Sequence, residues 1–247
     1  MSQVNDLDAI IFPKKGKRSP CLGPVAVIAG IETDLFQLCE LFDFDSGAYQ
    51  KLFTSRLYPA DPSSQGISLA GPVVGAPYAV MVLETLIAWG ARKIIFLGWC
   101  GSISDKVKIG DIIVATSAII DEGTSGHYEN NETRISFPAA SMLTTLKDAL
   151  RQNLADFHNG AIWSTDAIYR ETGEKVKFFQ RQDAIGVEME ISALFTVAKF
   201  RGVDLAAMAV VSDELSSFKW RPGFKMDEFK HGRKTACTVI KDLCRKM

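Results

Sequence analysis

Short apolar runs that end in glycine alternate with segments of helical spacing along most of this 247-residue chain. Val25–Ala29 is an apolar, β-branched run that stops at Gly30, and residues 93–97 form a second run that stops at Gly98. Such runs are typical of strands covered on both faces of a sheet. Between them, residues 78–89 have helical spacing. The alternation predicts βαβ units, in which helices cover a largely parallel or mixed sheet.

The same patterns predict the rest of the architecture. Further strands are expected at 112–116, 161–164 and 206–211, and helices at 141–153, 192–200 and 226–245. The spacing of Leu35, Leu38, Cys39 and Phe42 predicts another helix after the first strand. We expect a single-domain, three-layer α/β/α fold with a mixed central sheet over residues 25–247. Residues 1–24 are interpreted as a leader segment.

Composition and charge narrow the functional classes. The chain has 28 Lys and Arg against 29 Asp and Glu, a balance that argues against nucleic acid or an anionic membrane as a partner. The start lacks the basic and then apolar profile of a signal peptide, and no run approaches the ~20 apolar residues of a membrane span. We therefore expect a soluble, cytoplasmic protein.

The cysteines indicate neither a disulfide framework nor a metal site. Their number is odd, they are widely spaced, and no C-x-x-C pair or nearby histidine completes a zinc set. They are Cys21, Cys39, Cys100, Cys237 and Cys244. We expect them to be reduced, and we expect no metal and no organic cofactor.

Ligands of open α/β sheets gather at the carboxyl ends of strands, so the residues after each predicted strand are candidates for a site. Gly98 and Gly101 would let a ligand approach the backbone, although a tight turn without any ligand would also need glycines there. Glu188 and Glu190 precede a predicted helix. One of these carboxylates would clamp the cis-diol of a ribose while the other braces the fold, and the alternative is simple stabilisation by the helix dipole.

Two further candidates follow later strands. Asp213 comes after the 206–211 run, where a carboxyl group would act as a general acid toward a leaving base or would cap a helix. Trp163 and Ser164 end the 161–164 run. The indole would stack on a flat base, worth ~1–3 kcal/mol, or it would pack in the core.

In this order, the segments resemble the nucleoside phosphorylase superfamily, which includes bacterial purine nucleoside phosphorylase, uridine phosphorylase and methylthioadenosine nucleosidase. The resemblance runs from about Val25 to Val211. Its strongest parts are IIFLGWCGSISDKVKIGDIIVAT and GVEMEISALFTVAKFRGVDLAAMAVVSDE. The stretch DEGTSGHY is similar to one in uridine phosphorylase, and AIWSTDAIYR resembles the base-site strand.

The resemblance implies roles for individual residues. Met189 would pack under the ribose, and Glu190 would bind its 2′ and 3′ hydroxyls. Trp163 would stack on the base, and Asp213 would hydrogen-bond a purine leaving group. Arg170 lies near the position from which uridine phosphorylases recognise the base.

The phosphate subsite departs from the family pattern. Where the resemblance places two arginines, this chain has Asp34 and Phe96, and Trp99 replaces a small hydroxyl residue. An acid would repel a phosphate dianion, which an arginine fork binds best. The nucleosidase branch carries a glutamate at the place of Asp34, where it activates water. Together with Gly30 and Gly98, Trp99 would line a subsite for phosphate or water.

Three functions follow as expectations. The first is cleavage of the N-glycosidic bond of a ribonucleoside by phosphorolysis, with Arg56, Arg92 or a neighbouring subunit refilling the atypical phosphate site. The second is a hydrolytic nucleosidase in which Asp34 activates water, and the third is a non-catalytic nucleoside-binding protein. The expected partners are a nucleoside, inorganic phosphate in the first case, and further copies of the chain in a homodimer or homohexamer.

Overall fold

The computed structural model describes residues 9–17, 19–20, 22–60, 66–129 and 132–247. The strands are β1 (Val25–Ala29), β2 (Gln50–Leu52), β3 (Ser55–Tyr58), β4 (Ile67–Gly71), β5 (Lys93–Ser102), β6 (Ile112–Asp121), β7 (Ile135–Ser136), β8 (His158–Thr165), β9 (Ala184–Glu188), β10 (Asp204–Glu214) and β11 (Arg221–Pro222). The helices are α1 (Glu32–Leu41), α2 (Ala76–Trp89), α3 (Ala140–Gln152), α4 (Gly173–Gln180), α5 (Ile191–Arg201) and α6 (Asp227–Cys244).

The strands form one mixed sheet that partly closes on itself. Its order is β11-β10-β6-β8-β9-β5-β1-β4-β3-β2, with β7 paired to β6. Strand β5 also pairs with β10, so that β5, β10, β6, β8 and β9 form a ring of neighbours. Within this ring β10 and β8 run parallel to β5 and β6 respectively, whereas β9 runs antiparallel to β5. The ring brings segments that are distant in sequence to one end of the sheet.

Two groups of helices cover the sheet. Helix α6 contacts both α1 and α3, and α2 packs against α5. Strand β1 is buried along its whole length, as expected for a strand with layers on both faces. Helix α5 ends at Gly202, which adopts the left-handed conformation that favours glycine at this position. The α/β/α architecture with a mixed central sheet, expected from the sequence, is confirmed.

Four of the five predicted strands are longer than expected, and two of the corrections affect the candidate site. Strand β5 does not stop at Gly98 but continues to Ser102, because β10 pairs with it along this whole stretch. The segment from Gly98 to Ser102 is therefore strand and not a turn that offers free amides. A Cβ on Gly98 would lie 2.8 Å from the ring of Phe96, so the glycine makes room for that side chain. Strand β10 likewise runs through Asp213.

Candidate functional site

Three strands meet at Gly101 at the carboxyl end of β5. Gly101 pairs with Val187 of β9 on one side and with Asp213 of β10 on the other. A Cβ at this position would lie 3.2 Å from an Asp213 carboxylate oxygen and 3.3 Å from the Val187 side chain. Glycine is thus required for this junction, which brings the segment carrying Glu190 beside Asp213.

The Cys100 thiol marks the centre of the junction. It is fully buried, and burial raises its pKa well above the usual value, with the charges of Asp213 and Glu188 adding to the shift. The charges of both carboxylates therefore act on one thiol. The ends of β9 and β10 thus meet at this junction.

Glu188 braces the start of helix α5. Its Oε2 accepts hydrogen bonds from the backbone N–H groups of Glu190 at 2.6 Å and Ile191 at 2.8 Å, and its Oε1 accepts one from the Ser164 hydroxyl. Amides at a helix N-terminus lack partners within the helix, so a buried carboxylate is stabilised there. Ser164 Oγ also accepts a hydrogen bond from the Ser192 amide at 2.9 Å, so Ser164 links Glu188 to the first turn of α5.

Glu190 is directed elsewhere, toward the start of α2. Its Oε1 accepts a hydrogen bond from the backbone N–H of Gly75, the residue before that helix. Burial raises the pKa of Glu190 to about 8, and the charge of Glu188 adds to the shift. Burial likewise raises the pKa of Glu188 to about 7. Near neutral pH the pair formed by Glu188 and Glu190 therefore retains a proton. Met189, which lies between them in the chain, is half-buried.

Asp213 is half-buried and held by two donors. The Ser212 hydroxyl donates to Oδ1 at 2.6 Å, and the indole N–H of Trp220 donates to Oδ2 at 3.0 Å. Asp213 also pairs with Pro222 in the short ladder to β11. The helix-cap alternative is wrong, because Asp213 lies within a strand. Its carboxylate is instead fixed at the edge where β10 and β5 end.

Trp163 lies in the core rather than in the cleft. Its ring stacks on Phe179 with centroids 4.2 Å apart, its Nε1 donates to Asp121 at 3.0 Å, and the side chain is fully buried. This corrects the base-stacking role in favour of the core alternative. The partner Phe179 comes from α4, a helix that the sequence patterns did not predict.

The side chains that reach solvent after β8 come later in the chain. Ile168 and Tyr169 are 52% and 98% exposed, and Arg170 is exposed beside them in a short 3₁₀ turn. These three residues lie on the segment between β8 and α4. They are therefore available to a ligand at this end of the sheet, whereas Trp163 is not.

Asp34 is fully buried in an ion pair with Arg233 of α6. The Arg233 guanidinium nitrogens lie 2.6 and 2.7 Å from Asp34 Oδ1, and Trp99 Nε1 donates to Oδ2 at 2.6 Å. Arg233 also donates to the Thr33 hydroxyl at 2.7 Å and lies over the Trp99 ring, 5.0 Å from its centroid. Burial raises the pKa of Asp34, and the charge of Arg233 opposes that shift. Both carboxylate oxygens of Asp34 are thus bound to donors from the protein.

Gly30 and Gly98 lie against each other where β1 and β5 run in parallel. The Gly30 amide donates to the Leu97 carbonyl at 2.8 Å, and the Gly30 carbonyl accepts from the Val73 amide at 3.2 Å. The buried Phe96 ring fills the space beside both glycines. The predicted subsite is therefore compact, with the half-buried Trp99 at its edge.

The two arginines proposed to refill the phosphate site lie elsewhere or are paired. Arg92 lies before the amino end of β5, where its guanidinium donates to the carbonyl of Ile87 at 2.9 Å. Arg56 forms an ion pair with Glu32 and lies over the ring of Phe36. Arg92 is thus at the wrong end of the sheet, and the charge of Arg56 is already balanced.

A cavity of about 1020 Å³ lies along α2, and its lining does not include Glu188, Glu190 or Asp213. Its apolar lining includes Phe53, Pro77, Met81, Tyr128 and Phe200. Phe53 and Met81 are 46% and 48% exposed. These side chains form an open apolar face next to the N-terminal end of α2.

No group of three or more His, Cys, Asp or Glu side chains is arranged to hold a metal ion in the described ranges. Among the helices of the described residues, none combines the length and the apolar character needed to cross a membrane. Cys39, Cys100, Cys237 and Cys244 are buried free thiols. Cys21 lies outside the described residues.

Comparison with known proteins identifies the family. A family model described as Phosphorylase superfamily matches residues 24–245. The chain belongs to the phosphorylase superfamily. It is 29% identical over 191 residues to guanosine phosphorylase of Halorubrum lacusprofundi, covering 77% of this chain and 78% of that protein.

Solved structures of this superfamily share the fold. Uridine phosphorylase from Vibrio fischeri superimposes with a TM-score of 0.79 at 22% identity, covering 92% of this chain and 93% of that one. AMP nucleosidase from Bacteroides thetaiotaomicron superimposes with a TM-score of 0.72 at 20% identity, covering 92% of both chains. Phosphorylases and nucleosidases thus share the fold of this member of the phosphorylase superfamily.

Arg233 is a site residue that the sequence interpretation missed. A signal was present, because Arg233 follows Phe229 by four residues and precedes Ala236 and Cys237 by three and four, all of them buried. A cation on the apolar stripe of a helix needs a buried counter-charge. Asp34, an acid within the otherwise apolar face of α1, is the matching half of that signal.

Proposed function

We propose that this member of the phosphorylase superfamily is an enzyme that cleaves the N-glycosidic bond of a ribonucleoside. The observation that carries the proposal is the junction at Gly101, where the end of β10 with Asp213 meets strand β9, which ends at Glu188, two residues before Glu190. The similar proteins named above are two phosphorylases and a nucleosidase. Enzymes of both kinds cleave this bond.

Glu190 is the group that best fits the ribose. It is anchored by the Gly75 amide, so its carboxyl group is fixed before a substrate binds. A carboxyl group that retains a proton both donates and accepts, which matches two adjacent hydroxyls. Met189 follows Glu188 directly and supplies an apolar surface beside Glu190 for the face of the sugar.

Asp213 is the group that best fits the leaving base. Cleavage leaves negative charge on the base nitrogen, and a carboxyl group at the end of β10 stabilises that charge when it supplies a proton. The Ser212 and Trp220 donors hold the carboxylate in one orientation, which preserves this geometry during the reaction. Glu188, whose charge acts on the same Cys100 thiol as that of Asp213, is a second acid at this junction.

Water fits the acceptor subsite better than phosphate does. Arg233 is neutralised by Asp34, and Arg56 by Glu32, so neither offers an uncommitted charge to a dianion. Phosphate would also have to be desolvated beside the buried Phe96 ring. Water carries no such cost. We assign its place to the side of Trp99 next to the Asp34–Arg233 pair, because the Phe96 ring already fills the space beside Gly30 and Gly98.

Phosphorolysis is the second candidate, favoured by the 29% identity to a guanosine phosphorylase. Arg233 lies against Asp34, the position where the resemblance puts an arginine of the phosphate site. In this alternative Arg233 would exchange Asp34 for phosphate, and a guanidinium fork is suited to either partner.

An assay of released sugar separates these possibilities. Inosine, guanosine, adenosine and uridine are incubated with the purified chain in phosphate-free buffer and in buffer with inorganic phosphate. Free ribose formed without phosphate supports hydrolysis, and ribose 1-phosphate formed only with phosphate supports phosphorolysis. Micromolar binding without turnover in either buffer contradicts the proposal and favours a nucleoside-binding protein.

The role of Glu190 is tested by Glu190→Gln with a deoxy substrate. Losing a hydrogen bond to an ionised or proton-sharing group costs about 1.5–3 kcal/mol, so kcat/KM for a ribonucleoside should fall roughly 10- to 100-fold. The 2′-deoxynucleoside already lacks one of the bonds, so the ratio of ribo to deoxyribo substrate should approach one in the variant. Glu174→Gln, at an exposed position on α4, is the control. An unchanged ratio in Glu190→Gln would rule out the ribose contact.

Self-association is proposed on the apolar face at α2. Phe53 lies on the exposed face beside the cavity, whereas the neighbouring Leu52 is buried in the core. Exposed apolar faces of this kind mark interaction sites. Sedimentation at micromolar concentration should give a dimer or a hexamer, and Phe53→Glu together with Met81→Glu should shift it toward the monomer.

A further inference from the structure

Glu171 is an acid on the segment between β8 and α4 that no other part of the mechanism uses. It lies between the 3₁₀ turn after β8 and helix α4, and it is half-buried. Within the described ranges its carboxylate has no hydrogen bond or ion pair to another side chain. A half-buried carboxylate without protein partners is available to a ligand.

The segment after β10 packs against the segment that carries Glu171. A Cβ on Gly173 would lie 3.7 Å from the ring of Phe218, and Lys177 Nζ lies 4.9 Å from the centroid of that ring. Trp220, two residues later, donates to Asp213. The loop from 215 to 220 therefore joins the Asp213 side of the cleft to the Glu171 side.

The two carboxyl groups are close enough to influence each other. Burial raises the pKa of Glu171 to about 7, the charge of Asp213 adds to the shift, and Lys175 opposes it. Lys175 is bound to Asp121 at 2.8 Å, so its ammonium group does not neutralise Glu171 directly. Asp213 and Lys175 are thus the charged groups that act on Glu171 from β10 and α4.

We propose that Glu171 stands beside Asp213 as a second base-reading group and selects purines by the substituent at position 6. A purine presents N7 and its 6-substituent side by side on one edge: two acceptors in a 6-oxopurine, but an acceptor and an amino donor in adenine. Two neighbouring carboxyl groups match this edge, one at N7 and the other at position 6. The inference rests on the proposed function for the assignment of Asp213 to N7.

The proton on Glu171 then sets the preference. A protonated carboxyl group donates to the oxygen of a 6-oxopurine, whereas the ionised group accepts from the amino group of adenine. Glutamine at this position carries both a donor and an acceptor at every pH. The glutamine variant should therefore lose the pH dependence of the choice while keeping both substrates.

The test compares inosine with adenosine between pH 5.5 and 8.0, using the full chain. In the wild type, the ratio of kcat/KM for inosine to that for adenosine should fall at least about tenfold as the pH rises through 7. Glu171→Gln should give a flat ratio, and the control Glu174→Gln should follow the wild type. Identical profiles for Glu171→Gln and the wild type overturn the inference.

Binding of free bases separates this inference from the proposed function. Calorimetry with hypoxanthine and adenine over the same pH range should show the same reversal without turnover. If bases bind in this way but no nucleoside is cleaved, the proposed function fails and the inference stands. If uridine is cleaved and neither purine is bound or cleaved, the inference fails and the proposed function stands.

Discussion

Glu188 and Glu190 are identical side chains two positions apart with different surroundings. Strand β9 ends at Glu188, whose carboxylate turns back onto the amides that begin α5. Glu190 has left the strand conformation, with φ −134° and ψ −37°, and its side chain reaches Gly75. The strand-to-helix transition thus separates an acid that braces α5 from the acid to which we assign the ribose contact.

Trp163→Phe tests whether that indole serves the core or the base. Phenylalanine keeps a ring against Phe179 but loses the hydrogen bond to Asp121, so the free energy of unfolding should fall by about 1–3 kcal/mol. Urea denaturation measures that loss, and kcat/KM of the folded variant should equal that of the wild type. Trp89→Phe, which removes a more exposed indole hydrogen bond to Lys14, is the control. A large fall in kcat/KM with unchanged stability would restore the stacking role.

At the level of elements, a helix or strand could be predicted from the sequence where the residues that determine it are close together in the chain. Helical spacing predicted α1, α2, α3, α5 and α6 because each buries a stripe set by its own residues. The extension of β5 beyond Gly98 depends on β10, more than a hundred residues away, and no local pattern reports that pairing. The same reason hid β9 and α4, and with α4 the partner that buries Trp163.

The candidate site was predictable in part for the same reason. Glu190 stands out because it precedes a predicted helix, and Asp213 because it follows the run predicted as a strand at 206–211. The structure brings their segments together. The partners Arg233 and Glu171 come from a helix face and a loop whose positions depend on tertiary packing. Asp34 was recognised as unusual, but its ion pair with Arg233 joins positions 199 residues apart.

The Asp34–Arg233 pair should link α1 to α6 energetically. Arg233→Met removes the cation and leaves a buried carboxylate, which should lower the free energy of unfolding by about 3–5 kcal/mol. Asp34→Asn combined with Arg233→Met should recover part of that loss, because neither charge then remains unpaired. Urea denaturation of both single variants and the double variant completes the cycle. Strictly additive losses would show that the two side chains do not interact.

At the scale of the whole molecule, the ring of strands concentrates acids that repel each other. Glu188 and Glu190 are buried together, and Glu171 lies near Asp213. The chain tolerates this arrangement because burial keeps protons on several of these groups near neutral pH. Stability and site chemistry are therefore coupled through the same protons.

Because these groups hold protons in the folded chain, we predict that the free energy of unfolding falls as the pH rises. The pKa of Glu190 is about 8 in the folded chain, against the usual 4.5 of a glutamate, so between these values the folded state binds a proton that the unfolded state has released. Stability from this group is therefore present below pH 4.5 and is lost as the pH rises toward 8, by up to ~1.4 kcal/mol per pH unit. Glu188, with a pKa of about 7, acts in the same direction.

Glu190→Gln isolates that contribution, because glutamine has no proton to lose. Urea denaturation at pH 5, 6.5 and 8 should show the variant gaining stability relative to the wild type as the pH rises. Glu174→Gln, exposed on α4, should keep a constant difference from the wild type at all three values. Parallel pH profiles for Glu190→Gln and the wild type would mean that Glu190 ionises at the same pH in the folded and in the unfolded chain. That result would contradict the retention of a proton by Glu188 and Glu190 in the folded chain.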